Sequence, residues 1–129
     1  MRTDFKVTID ECTKDLDVRE RIKLKDFTDA VSFDSLITDG TPLTVEVDYI
    51  AQLSIHNEHS HGDHDYKKTM VVDTAGTKYH TGSSSFLNAI SDIRDELMEA
   101  GETGPFTIEV FKKPSNNYKD KSFITCVLA

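Results

Sequence analysis

The chain has 129 residues, 37% of them hydrophobic and 29% charged, with a net charge of −8. That size and balance suit one folded domain with a real core and exclude a disordered chain. No apolar run approaches the roughly 18 residues of a membrane span, and the net charge argues against a nucleic-acid binder unless positive charge is concentrated locally.

The opening stretch, MRTDFKVTIDECTKDLD, is charged throughout, so no secretory signal is expected and a cytoplasmic location is. Residues 1–26 balance seven basic against seven acidic side chains. Within them FKVTI reads as a short strand, and LDVRERIKLKDF as either a short helix or an extended arm. AVSFDSLITDGTP reads as a turn or short helical piece closing at Asp39-Gly40. Residues 1–40 are expected to be an N-terminal extension packing on or flanking a barrel formed by residues 41–129. Cys12 and Cys126 lie far apart without a CxxC pattern, so both are expected as free thiols.

The strongest strand signal follows. In LTVEVDYIAQLSI, Leu43, Val45, Val47, Tyr49, Ala51, Leu53 and Ile55 alternate with polar positions. Strands commonly run to about five or six residues, so one this long is expected to bend and serve two sheets. Ile50 interrupts the polar phase beside the small Ala51, which marks the place for a bulge. The chain then enters HNEHSHGDHDY, residues 56–66, which holds four of the five histidines. YKKTMVVD and TKYHTG form a hairpin around Asp73-Thr74-Ala75-Gly76, with Gly76 free to take a positive φ. SSSFLNAISDIRDELMEAG is a helix. Its serines offer an N-cap, Phe86, Ile90, Ile93 and Leu97 form one apolar stripe, and Gly101 closes it. PFTIEVFKK and KSFITCVLA are two more strands, joined by KPSNNYKD.

The order of long strand, strand, strand, helix, strand, strand is that of a five-stranded Greek-key barrel of the OB type, with its helix between strands three and four. A mainly β fold with this one helix is expected, and an α+β sandwich is the competing architecture.

Charge distribution now matters. Residues 27–65 carry eight acids and no Lys or Arg, whereas residues 66–82 and 106–129 are each net +2. These two positive islands fall on strands two and three and on the last two strands with their loop. Those are the surfaces with which such barrels grip single strands, using lysines for phosphate and aromatic rings for bases. Lys67, Lys68, Lys78, Lys112, Lys113, Lys119 and Lys121 are the expected phosphate contacts. Tyr66, Tyr79, Phe111 and Tyr118 are the expected stacking rings. Phe111 stands out because it falls out of phase with Phe106, Ile108 and Val110, beside Lys112 and Lys113. Taken singly, a hairpin lysine is more often a solvated side chain, and a strand tyrosine more often packs with its hydroxyl at the surface. The coincidence of both islands with both surfaces is what supports binding.

TGSSSFLNAISDI followed by IEVFKKPSNNYKDKSFITCVLA resembles the small phage and prophage single-stranded-DNA-binding proteins of Gram-positive bacteria. Those chains have a helix beginning in a TGS-x-SF context and end in an FRKPSKNYKGKxFITC-like strand–loop–strand. The likeness covers roughly residues 42–129. It implies an OB fold and non-sequence-specific binding of single-stranded DNA in phage DNA replication or recombination, with proteins of those processes as further partners. It points to Lys112, Lys113, Tyr118, Lys119 and Lys121. One departure is that cellular members of this functional class carry an acidic flexible tail. The sequence ends at Leu128-Ala129 without one, so recruitment through such a tail is not expected.

Two other functions compete. The acids of residues 27–65 suit a protein-interaction module or an inhibitor that mimics DNA. His59, His61 and His64, with Asp63 and Asp65 beside them, are candidate metal ligands in the His56–His64 loop. Ligands drawn from a single glycine-containing loop, without Cys or HExxH, make a poor functional site, so no metal or other cofactor is expected. No nucleophile motif or phosphate-binding glycine loop is present, so no enzyme is expected and no catalytic residue is assigned.

Overall fold

The computed structural model describes residues 4–38, 41–114 and 122–129. Its elements in chain order are β1 (Phe5–Cys12), α1 (Val18–Leu24), β2 (Val31–Ser32), α2 (Phe33–Leu36), β3 (Leu43–Asn57), β4 (Asp65–Asp73), β5 (Lys78–Thr81), α3 (Ser84–Glu99), β6 (Phe106–Pro114) and β7 (Ser122–Leu128). The fold is mainly β. One curled mixed sheet forms a half-barrel, with strand order β2-β5-β4-β3-β6-β7 and β1 added to β3. α1 falls in the stretch read as a short helix or an extended arm, and α2 in that read as a turn or short helical piece.

β3 organises the molecule. One edge pairs with β4 from Val47 to His56. The other pairs first with β6, from Leu43 to Val47, and then with β1, from Ala51 to Asn57. Between Val47 and Tyr49 the register against β4 shifts. A bulge adds a residue and flips the pleat. Val45 and Val47 before it, and Ile50 after it, therefore face one core, while Tyr49, Ala51, Leu53 and Ile55 face another. Ile50, the residue out of phase in the sequence, is the first inward residue beyond the bulge. Its backbone is held by Thr13, whose N–H donates to the Ile50 carbonyl (2.9 Å) and whose hydroxyl accepts from the Ile50 N–H (3.0 Å).

The first core fills the half-barrel, with Phe33, Phe86, Ile90, Ile108 and Ile124 fully buried. The second lies on the outside of the β3–β4 wall. There the N-terminal segment packs Val7 and Leu24 on Leu53, Met70 and Val72. Each such side chain contributes about 1.5–3 kcal/mol of burial. α1 is fixed by a capping box: Asp17 accepts from the Glu20 N–H (2.8 Å), and the Glu20 carboxylate accepts from the Asp17 N–H (3.3 Å).

α3 starts at the Ser83 N-cap, whose hydroxyl accepts from the Phe86 N–H (3.2 Å). It ends in a Schellman motif. Gly101 at φ 83° donates to the Met98 carbonyl (3.0 Å), and Glu102 donates to that of Leu97 (2.9 Å). Among the described residues no helix is long and apolar enough to cross a membrane.

Candidate nucleic-acid interface

The outer face of the β4–β5 hairpin carries Tyr66, Lys68, Met70 and Val72 from β4, by the alternation of the strand. Opposite Val72 and Met70 stand Lys78 and His80 of β5. Much of this face is covered. Leu24, 1% exposed, belongs to the core beneath the cover, and Phe27 meets His80 edge-on at 5.3 Å between ring centroids. Lys78 is 8% exposed. Its ammonium donates to the carbonyls of Lys23 and Asp26, both at 2.6 Å, and pairs with the Asp29 carboxylate at 2.6 Å. All three of its protons are thereby engaged. Lys78 therefore departs from its expected role as a phosphate contact and instead fastens the N-terminal segment to the barrel.

Tyr79 also departs from expectation. It faces inward and stacks parallel on Phe33, with centroids 5.0 Å apart, so one side of its ring is taken. Burial, reinforced by the nearby Asp73 carboxylate, pushes its hydroxyl above the usual tyrosine range. Tyr66 is half-buried against the second core. Lys67 is exposed but points to the opposite face from Lys68. It stands across from Ser54, in a shallow cleft with Lys6, Thr8, His56 and Asp65.

On the β6–β7 ribbon the alternation also separates neighbours. Lys112 points to the inner side opposite Ile124, and its ammonium donates to the backbone carbonyl of Asp34 at 3.2 Å. Lys113 points outward opposite Phe123, and Phe111 points outward opposite Thr125. Phe111 and Phe123 are half-buried, and neither is among the residues packed against either core. The outer face of the ribbon thus presents two rings on diagonal positions, with Lys113 directly across from Phe123 and two positions along the strand from Phe111. Tyr118, Lys119 and Lys121 lie outside the described residues.

The two positive islands meet at a seam. β5 pairs with β4 and β2, β7 pairs with β6, and no ladder joins β5 to β7 among the described residues. A groove of about 460 Å³ opens there, lined by Lys68 and Gly82 of the β4–β5 side, Ser122 and Phe123 of β7, Ser83–Ser85 at the start of α3, and Asp34. Ser83 ties the two sides, since its hydroxyl donates to the Ile124 carbonyl at 2.6 Å. His80, within electrostatic reach of both Lys68 and Asp34, has a buried Nδ1 with no hydrogen-bond partner among the described residues. Burial lowers its pKa, the Lys68 ammonium lowers it further, and Asp34 opposes both. The net effect favours the neutral imidazole of His80.

Phe123 and Asp34 were not singled out from the sequence, and Ser83–Ser85 only as N-cap candidates. Phe123 had a signal available: in KSFITCVLA it is out of phase with Ile124 and Cys126, as Phe111 is in the preceding strand. Asp34 had none, because it reaches the groove only through the path of the N-terminal segment.

The histidine loop is held by carboxylates in pairs. His56 Nδ1 lies 2.8 Å from Asp65 and its Nε2 3.5 Å from Glu58, and His59 Nε2 lies 2.9 Å from Asp4. The hydrogen bond to Asp65, followed by that to Glu58, raises the His56 pKa above the usual value. Among the described residues no three His, Cys, Asp or Glu side chains are grouped to hold a metal ion.

In comparisons with known proteins, no family model, no curated protein and no solved structure matches the chain.

Proposed function

We propose that the protein binds single-stranded DNA without strong sequence preference, along the seam and the outer face of β6–β7. The observation that carries this reading is the groove that Lys68 and Phe123 line together, although they come from two separate positive islands of the sequence, with Lys113 paired across from Phe123 on β6 and Phe111 two positions before it. Ammonium groups and backbone-rich, serine-lined walls suit phosphates. Rings that neither core has claimed suit bases, at about 1–3 kcal/mol for each base stacked. The strand pairing supports an OB-type barrel, since β3 lies between β4 and β6, and β5 and β7 extend the two sides. In that reading the seam is the place where such a barrel would close. A role in phage DNA replication or recombination, in the cytoplasm of the host, follows from the resemblance of residues 42–129 to phage single-stranded-DNA-binding proteins.

The test is a titration of a fluorescent oligo-dT at two salt concentrations. Binding that weakens steeply with salt is expected. No binding at low salt would overturn the proposal. A second reading, an acidic protein-interaction module, is favoured by a different cleft of about 490 Å³, where Glu20, Asp26, Asp29, Asp48 and Asp73 outnumber Lys14, Lys23 and Lys78. Its mark would be competition with DNA for a basic enzyme, with no affinity for the oligonucleotide itself.

A further inference from the structure

We infer that Asp34 is an affinity-limiting residue of the seam, placed so that its carboxylate competes with the phosphates of a single strand. This rests on the nucleic-acid reading above and adds to it a built-in restraint. Asp34 lies in the first turn of α2 and lines the groove. The Asp34 side chain accepts a hydrogen bond from the Thr81 hydroxyl at 3.2 Å, and its backbone carbonyl accepts from the Lys112 ammonium at 3.2 Å. The same groove holds Lys68 and the hydroxyl-bearing Ser84, Ser85 and Ser122. Lys68 and Asp34 act on His80 in opposite directions, as expected of two opposite charges flanking one spot.

A carboxylate inside a groove of donors does two things to an incoming polyanion. It repels the phosphate directly, and it offsets the potential of the ammonium groups around it. Both effects are electrostatic, so both fade as salt rises. Asp34 also comes from the N-terminal segment that Lys78 fastens down. The part of the chain that completes the second core thus also sets the charge of the seam.

Asp34→Asn isolates the charge. Asparagine keeps an oxygen to accept from Thr81, and the contact with Lys112 is made by the backbone and survives the substitution. Asp92→Asn, on an exposed position of α3 that does not line the groove, makes the same change in net charge elsewhere. With fluorescent oligo-dT at low salt, Asp34→Asn is expected to tighten binding by about threefold to tenfold, and Asp92→Asn by less than about twofold. The gain should shrink at higher salt, and Lys68→Ala should weaken binding. Equal effects of the two neutralised acids, or no gain for Asp34→Asn in a protein that binds and responds to Lys68→Ala, would overturn the inference alone. Absence of binding by every variant would overturn the proposed function with it. A circular-dichroism melt accompanies each variant. Should Asp34→Asn lose its melt, Asp34→Ser carries the same expectation, and no gain there counts against the inference.

Discussion

The outer faces of the β4–β5 hairpin and of the β6–β7 ribbon begin from the same sequence signature, lysines beside aromatic rings, and meet opposite fates. On the first, the N-terminal segment lies down and the lysine ammonium of Lys78 is spent on backbone carbonyls from residues 55 and 52 positions away. On the second, Phe111, Phe123 and Lys113 point outward and neither ring joins a core. The difference lies in what reaches each face from elsewhere in the chain. A lysine in a strand becomes a ligand contact or a structural clamp according to whether a partner segment passes over it.

That contrast is testable on both sides. The largest effect is expected at the cover. Leu24→Ala should cost about 2–5 kcal/mol of folding stability by chemical denaturation, because it empties a fully buried site in the second core. A cost near zero would mean that the cover is not packed down. Next, Lys78→Met should cost about 1–3 kcal/mol, since it removes the two part-buried hydrogen bonds that tie the Lys23 and Asp26 carbonyls to β5. Its affinity for oligo-dT should stay level while that of Lys68→Ala falls. An affinity loss at Lys78 with unchanged stability would reverse the roles of the two lysines. On the open side, Phe123→Ala should weaken oligonucleotide binding by about 1–3 kcal/mol with little change in the melting temperature. A large drop in melting temperature without loss of binding would make the ring structural.

The smallest effect is expected at the histidine loop. The Asp65 and Glu58 carboxylates raise the folded-state pKa of His56. Their contribution to stability is fully present below the unfolded value of about 6.5 and is lost as pH rises through the higher folded value. Comparison of melting temperatures at pH 5.5 and 8 should show the difference between the unmodified chain and His56→Gln narrowing as pH rises. A difference independent of pH would remove the carboxylates from the explanation.

Much of the half-barrel was legible in the sequence. The length and bend of β3, the β4–β5 hairpin, both ends of α3 and the outward phase of Phe111 were all readable from period, turn residues and caps. The phase flip in β3 was hidden because Val47 and Tyr49 are both apolar, so the alternation appears unbroken across the bulge. Ile50 alone betrayed it. The N-terminal segment was harder to read for a different reason. Its dense charge masks the apolar residues that serve the second core, with Val7 and Leu24 buried and Phe5, Ile9, Leu16 and Phe27 packed against it. The two departures among the candidate site residues share a cause. Lys78 and Tyr79 are claimed by residues 23–33, and no local pattern in β5 announces a partner so far back in the chain.

Because β3 stands between the two cores with ladders on both of its edges, neither core can open without breaking the wall it shares with the other. The amides of residues 51–55, bridged to β1 on one side and β4 on the other, should be among the slowest in the molecule to exchange with deuterium, at rates that follow global unfolding. The same amides should lose protection together when either core is weakened. In that sense a fifteen-residue strand makes the two halves answer as one cooperative unit.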